Sequence, residues 1–452
     1  MSLSEAGLRA ILEERVDHER RPPPGGFTLD AVRAVSERLG RPGHAYPVVH
    51  VAGTCGKGTT SALVAAAVHR SGQRAGLTTS PHLIDLWERI RIGPSPAPSE
   101  AWTQAFSEVL AAEAPQRLTY FELVILTALV AFRRAEVDLA VVEVGLGGRL
   151  DATQVVGPCV SVITRIARDH TRLLGVDEAQ IAREKAGILR PGVPLVAGPG
   201  HPAAREAIAQ QARAVGSPVW WLGEELRARV GPRGVSVAWP GGEAMCPLRP
   251  QLAEGAGMPD TVHPAWPEQL ALAAGALARA GEPGAKALTA LPTAARSLRW
   301  HGRFEVVAGS PPLILDGAHD PAACSALESA FAARFPTQRA VVLLALARDK
   351  DLEGVVGALA SVTRRAVVCD VHGPRTAPPQ ALIAAFEGRG LPAEIEPAPL
   401  VALERAQALA RAEGLPLLVT GSLHLVGTIA SALALDVRDA WGGDSVLLGG
   451  TW

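Results

Sequence analysis

One lysine set among three glycines, directly before two hydroxyl residues, is a combination suited to holding phosphate. Residues 50–60 read His-Val-Ala-Gly-Thr-Cys-Gly-Lys-Gly-Thr-Thr. Gly53, Gly56 and Gly58 let the backbone turn so that amide N–H groups point inward. The Ala- and Val-rich run from Ser61 to Arg70 has helical composition, and the N-terminus of a helix adds partial positive charge. Lys57 is placed to reach terminal phosphates, and Thr59 or Thr60 to hold a magnesium ion. Residues Gly53, Thr54, Cys55, Gly56, Lys57, Gly58, Thr59 and Thr60 are therefore expected to form a nucleotide site. The string is not the standard GxxxxGK[ST], because Gly58 separates the lysine from the threonines. Cys55 has no base beside it in sequence and is expected to pack as a small side chain under the turn.

Further clusters fall where strands are expected to end. Glu143 closes the apolar run Leu139–Val142, and an acid there suits a magnesium ligand or a cap on backbone N–H groups. His170, with Asp169 to orient it, is a candidate for a second metal or a phosphate. Lys185 lies on a helical stretch beside Arg183 and Glu184, where a plain surface role is the simpler expectation. Asp316-Gly-Ala-His319-Asp320-Pro321 follows the apolar run Leu313–Leu315, which puts an acid and an imidazole at a strand end before a helix. Arg303 suits either a fork onto phosphate oxygens or a surface ion pair. No Ser-His-Asp order and no nucleophilic cysteine motif competes with phosphate chemistry.

These residues need a scaffold of strand ends, and the chain supplies one. Apolar strands at Val48–Ala52, Ala75–Thr79, Leu139–Glu143, Val160–Ile163 and Val193–Ala197 alternate with helical patterns, among them Thr119–Arg134. Ligands of such sheets bind outside the carboxyl ends of the strands. Residues Val215 to Arg249 are strand-rich, and Gln251 to Pro264 are irregular and rich in Gly and Pro. A Pro-rich break at Pro22 to Gly26 interrupts the N-terminal helices, and the tail after Asp436 is Gly-rich. A boundary is expected between Ala290 and His301, after which a second α/β pattern runs through Phe304–Val307, Leu313–Leu315, Ala340–Ala345, Ala366–Cys369 and Leu417–Thr420.

Composition narrows the class. With 452 residues, 48% hydrophobic and 20% charged, the chain has material for two or three packed domains. Its 44 basic and 45 acidic residues give no electrostatic basis for nucleic acid or an anionic membrane. Five cysteines without paired spacing indicate a reducing compartment and no disulfide framework. No uninterrupted apolar run approaches a membrane span. A cytoplasmic protein without nucleic-acid or membrane partners is expected.

The clusters, in this order, resemble the folylpolyglutamate synthase/dihydrofolate synthase family of the Mur ligase superfamily. The matching strings are His50 to Thr59, Thr79-Ser-Pro-His-Leu83 with Glu88-Arg-Ile90, Glu143 to Thr153, Asp169-His-Thr171, Arg183 to Ile188, Gly302-Arg-Phe-Glu305, Asp316 to His319, Asp349-Lys350 and Val419-Thr-Gly-Ser422. The resemblance implies an α/β, Mur-ligase-like fold. A P-loop ATPase-type N-terminal domain, residues 1–296, would carry the ATP and pterin-side sites, and a smaller Rossmann-like glutamate ligase domain would occupy residues 297–452. It implies ATP- and magnesium-dependent joining of L-glutamate to dihydropteroate or reduced folates through an acyl phosphate, by a monomer acting on small molecules. Carried over by position, Lys57 and its turn hold ATP. Thr59, Glu143 and His170 organise magnesium, and Lys185 matches a lysine that is carbamylated. Asp316 and His319 lie near the reacting phosphate and incoming glutamate, Arg303 contacts nucleotide phosphate, and Ser80, Pro81 and His82 shape the pterin-side pocket. Cys55 and Asp320 each replace an Asn of the family pattern, as does Gln154, and Pro267 falls where an adenine-contacting Asn is expected. A Mur-type ligase for another carboxylate or amino acid, and a non-catalytic nucleotide-binding scaffold, are the competing readings.

Overall fold

The computed structural model describes residues 3–16, 27–247, 263–371, 373–436 and 440–441. The break at Pro22 to Gly26, most of the stretch from Gln251 to Pro264 and most of the tail after Asp436 lie outside the described residues. The chain divides into two compact units, Met1–Pro247 with Pro267–Leu298, and Leu248–Trp266 with Arg299–Trp452.

The first unit is built on a seven-stranded sheet. Its strands are β1 (Val48–Ala52), β2 (Ala75–Thr78), β3 (Ile90–Ile92), β4 (Leu139–Glu143), β5 (Pro158–Ile163), β6 (Leu195–Ala197) and β7 (Val219–Trp221). Their order is β3-β2-β4-β1-β5-β6-β7. All pairs are parallel except β2 with β3. Every residue of β1 and β4 is buried, as expected for parallel strands covered on both faces, which read as continuous apolar runs. A core of Leu8, Leu12, Trp102, Phe106 and Phe132 fills one side of the unit. Burying a side chain of this size contributes about 1.5–3 kcal/mol. Three antiparallel strands, β8 (Arg227–Gly231), β9 (Gly234–Trp239) and β10 (Gly242–Cys246), form the expected strand-rich outer segment.

Two helices bear on the site. The helix after β1 spans Lys57–Arg70 and is buried without a break from Thr59 to Val68. It starts four residues earlier than its Ala-rich composition indicates. Gly58, Thr59 and Thr60 are poor helix formers, but first-turn positions need no intrahelical donors, and burial outweighs their propensity. The helix Tyr120–Arg134 begins at a capping box, in which the Thr119 side chain accepts from the Glu122 amide at 3.3 Å and Glu122 accepts from the Thr119 amide at 2.8 Å.

The second unit carries a six-stranded sheet of β11 (Glu305–Val307), β12 (Leu313–Leu315), β13 (Ala340–Leu344), β14 (Thr363–Val368), β15 (Ala393–Ile395) and β16 (Leu417–Thr420). The order is β11-β12-β16-β13-β14-β15, with β11 the one antiparallel strand. Strand β15 is absent from the sequence reading. It is a three-residue edge strand with a central Glu394, too short and too polar to stand out.

Candidate functional site

In the first unit β1 lies between β4 and β5, so the turn after β1 meets the loops leaving both neighbours. Gly53 has φ +148°, and a Cβ there would fall 1.9 Å from Thr164 Oγ1 and 3.1 Å from the Thr164 amide nitrogen. Only glycine allows this approach. Gly56, at φ +87°, is the N-cap of the helix. The Thr54 and Cys55 amides both donate to the Arg165 carbonyl, at 2.8 and 3.2 Å. The Thr54 hydroxyl donates to the Ala167 carbonyl and accepts from the Ala167 amide, each at 3.1 Å. Thr54 and Cys55 thus tie the turn to the segment after β5, and their amides already have an acceptor. The first helical hydrogen bond runs from the Thr60 amide to the Gly56 carbonyl at 3.0 Å. The amides of Lys57, Gly58 and Thr59 precede it and have no helical acceptor, which makes them the donors of an anion cradle. Lys57 Nζ lies 3.4 Å from the Thr54 carbonyl oxygen, folded over the turn.

Beside the turn, Glu143 is buried, with 5% exposure. Its Oε2 accepts the Ser80 amide at 3.3 Å, so the acid also anchors the Ser80–His82 segment. Lys185 is buried as well, not a surface residue, with 5% exposure. Burial pushes its pKa down to about 7, and the Lys57 ammonium acts in the same direction against the opposing charges of Asp169, Cys55 and Asp151. His170 sits in the left-handed region at φ +49°, and its ring is exposed with Nε2 3.5 Å from Asp169 Oδ2.

The loop after Glu143 and the helix Glu178–Ala186, which carries Lys185, are stitched together. The Arg149 amide donates to the Glu184 carbonyl at 2.8 Å. Gln154 Nε2 donates to the carbonyls of Gly148 and Gly187, at 2.5 and 3.0 Å. Its Oε1 accepts from Arg190. Beneath the turn, Thr153 Oγ1 donates to Asp151 Oδ1 at 2.6 Å, so His50 Nε2, 2.9 Å from that hydroxyl, is the donor to it. Burial, with help from Arg190, drives the His50 pKa down to about 3 and keeps the ring neutral. None of these supports stands out in the sequence, although Asp151 and Thr153 close the Glu143 string.

The Ser80–His82 segment opens the connection between β2 and β3. Glu88 accepts the amides of Leu83, Ile84 and Asp85 at 3.0, 2.7 and 2.7 Å, and Arg89 Nε donates to His82 Nδ1 at 2.9 Å.

In the second unit both oxygens of Asp316 accept backbone amides, from Phe304 and Ala318, each at 2.7 Å. The acid thus locks the Arg303 segment onto the end of β12. Phe304 is held at φ +46°, an uncommon conformation for a bulky residue. The His263 ring packs 6.2 Å from it. His319 Nδ1 donates to the Gly317 carbonyl at 2.8 Å, which leaves Nε2 as its basic nitrogen. Asp320 caps the helix Pro321–Arg334 by accepting the Ala323 amide at 2.9 Å, a role for which Asp and Asn are about equally suited. That equivalence accounts for the acid at this position.

The oxygen donors, the amide cradle and the buried Lys185 amine fit a nucleotide with a divalent cation. Comparisons with known proteins point to the same chemistry. A family model described as Mur ligase, glutamate ligase domain, matches residues 302–451. The dihydrofolate synthase/folylpolyglutamate synthase of Escherichia coli K12 is 34% identical over 415 residues, 92% of each chain. A structure of E. coli FolC in complex with DHPP and ADP superposes with a TM-score of 0.81 at 33% identity, covering 95% of this chain and 97% of that one. A bifunctional folylpolyglutamate synthase/dihydrofolate synthase with Mn, AMPPNP and L-glutamate bound gives 0.78 at 30% identity, covering 95% and 98%. Similarity of this extent, running through both units rather than one motif, establishes that the chain belongs to the dihydrofolate synthase/folylpolyglutamate synthase family of the Mur ligase superfamily.

Proposed function

We propose that the protein is an ATP-dependent ligase that joins L-glutamate to dihydropteroate, to reduced folates, or to both. The substrate carboxylate attacks the terminal phosphorus of ATP, forming an acyl phosphate and releasing ADP. The glutamate amine then attacks the acyl carbon, and an amide, phosphate and a proton result. The observation that carries this reading is the placement of the Lys57–Thr59 amides and the Lys57 side chain at one strand end, beside buried Glu143 and Lys185.

Each residue has a role that fits its surroundings. The amides of Lys57, Gly58 and Thr59 and the Lys57 ammonium hold phosphate oxygens, while Gly53, Thr54, Cys55, Gly56 and Thr60 set the shape of the turn. Thr59, Glu143 and His170 would hold magnesium, which supplies charge neutralisation where two anions must meet. Lys185, with a pKa near 7, has the neutral amine that reaction with carbon dioxide requires, and the resulting carbamate would add oxygen ligands. Arg303 holds nucleotide phosphate. Asp316 orients the Arg303 segment, and His319 offers Nε2 to the incoming amine. Ser80, Pro81 and His82 line the pterin side. The first unit carries the phosphate turn for ATP and the pterin-side segment, and the second carries the glutamate side together with Arg303.

The cysteines are all free, and no helix among the described residues is long and apolar enough to cross a membrane. The protein is proposed to act as a cytoplasmic monomer, and light scattering will test the monomer. The function is tested by a substrate panel of dihydropteroate and reduced folates against several amino acids, read by product mass and phosphate release. Glutamate addition to at least one pterin, dependent on ATP and magnesium, is expected. Product from another carboxylate alone would refute the folate assignment and leave the ligase chemistry standing. No product and no phosphate release from any pair would favour a nucleotide-binding scaffold.

A further inference from the structure

Glu268 and Gln269 lie near the start of the helix Trp266–Arg279. Three contacts inside the first unit seat this part of the helix at the carboxyl ends of β1, β5 and β6. Arg165, which follows β5, pairs with Glu268 at 2.5 Å. A Cβ on Gly198, which follows β6, would lie 3.4 Å from Leu272 Cδ2. A Cβ on Gly56, in the turn after β1, would lie 3.0 Å from Gln269 Nε2 and 3.5 Å from its Cγ. The Gln269 carboxamide therefore rests on the glycine that caps the phosphate-turn helix. Arg165 fixes this placement from both sides. Its carbonyl takes the Thr54 and Cys55 amides of the turn, and its guanidinium takes Glu268. Among the described residues the half-buried Gln269 side chain has no hydrogen-bond partner.

Gly56 directly precedes Lys57, Gly58 and Thr59, whose amides lack a helical acceptor. A primary amide beside this row brings two further N–H donors without added charge. With no partner to fix it, the group can turn its NH2 toward an anion. The acid next to it in sequence does not oppose an anion, because the Arg165 guanidinium matches Glu268. We infer that Gln269 is a nucleotide-binding residue that donates an amide N–H to a phosphate oxygen held in the cradle, so that a second element completes the set of donors begun by the turn. The inference rests on the phosphate-binding reading of that turn. The contact is with the phosphate chain and not the base, because the residue under the carboxamide is the neighbour of the three donor amides. Gln269 thus adds affinity for any nucleoside polyphosphate and does not discriminate among bases. Gly56 has a second use here, since a side chain at that position would crowd the carboxamide.

The test titrates the full chain by calorimetry with ADP, GDP and inorganic tripolyphosphate. Gln269→Met (Q269M) keeps a side chain of similar length over Gly56 and removes the donors. It should weaken ADP and tripolyphosphate alike by roughly tenfold, the scale of a hydrogen bond to a charged group, and leave the ratio of ADP to GDP affinity as in the wild type. Gln269→Glu (Q269E) has the shape of the native residue but sets a negative charge beside the cradle, and it should weaken both probes further. Gln269→Lys (Q269K) should bind them at least as tightly as the wild type. The gap between Q269E and Q269K should shrink as salt is raised. A melting curve without nucleotide accompanies each variant. Unchanged affinity in folded Q269M overturns the inference. So does a loss for ADP with tripolyphosphate unchanged, which would mark a contact with base or ribose. If Q269M does not fold, Q269E against Q269K decides, and equal affinities overturn the inference. If the wild type binds none of the three probes, the phosphate-binding reading of the turn fails and the inference falls with it. If the wild type binds and the Gln269 variants match it, the turn stands and the inference alone falls.

Discussion

Taking the folded protein from about pH 6 to about pH 9 will discharge Lys185 near the middle of that range, far below the ordinary lysine value. The cause is burial first and the Lys57 ammonium second, which together bring the pKa to about 7. About half of the Lys185 side chains are then neutral at pH 7, a gain on the order of 10³ over an unperturbed lysine. Only the neutral amine attacks carbon dioxide, giving a carbamate and releasing a proton. The linkage to stability has a definite sign. The folded pKa is depressed, so between about 7 and the unfolded value of 10.5 the unfolded chain binds more protons. Stability therefore rises with pH across that window and is penalised in full below it. At about 1.4 kcal/mol per pKa unit the penalty is on the order of 5 kcal/mol, and Lys185→Met (K185M) should remove that pH slope. NMR of isotope-labelled lysine gives the titration, and 13C-bicarbonate gives the carbamate signal, which Lys185→Arg (K185R) should abolish. Lys57→Met should move the Lys185 pKa upward. A Lys185 that titrates near 10.5, or no carbamate above pH 7 at saturating bicarbonate, would refute the reasoning.

Lys57→Ala (K57A) should lose nearly all ligation with the melting curve intact; steady-state rates on the same sample check it. Gly53→Ala (G53A) forces a Cβ to 1.9 Å from Thr164 Oγ1 at a φ of +148°, and overpacking of this kind costs about 1–3 kcal/mol. Denaturant melts and ADP titration should show both stability and nucleotide binding reduced, with partial recovery on adding Thr164→Ala. Glu143→Gln (E143Q) and His170→Ala (H170A) should raise the magnesium concentration needed for half-maximal rate, measured by magnesium titration. Asp320→Asn (D320N) should leave stability nearly unchanged, whereas Asp320→Ala (D320A) should cost about 1 kcal/mol of helix capping, a difference that chemical denaturation resolves.

The strands that carry the site were legible because burial on both faces makes β1 and β4 continuous apolar runs. The phosphate turn was legible because Gly53 and Gly56 answer to local backbone geometry. What escaped the sequence depends on partners far along the chain. The amides of Thr54 and Cys55 looked available for ligand until the Arg165 carbonyl came beside them. Asp316 stood out as an acid at a strand end, but nothing in the sequence showed that its oxygens hold the amides of Phe304 and Ala318. Lys185, directly after Arg183 and Glu184, sits in a helix pattern that gives no hint of its burial. Arg89 was one member of a matching string, and its aim at His82 follows from a connection that folds back on itself.

The position of β1 between β4 and β5 has a consequence for how the chain acquires its activity. The turn after β1 is clamped through Thr54 to Ala167, a contact spanning 113 residues, and on the other side Glu143 ends β4 in register with Val51 of β1. Contacts this distant in sequence form late in folding, because a long loop must close before they add any stability. A nascent chain that has completed only β1 and the helix after it holds the phosphate motif but no clamp for it. Nucleotide can stabilise the protein only once β5 and the segment beyond it have docked, so ligand binding rewards the finished sheet and not its early pieces.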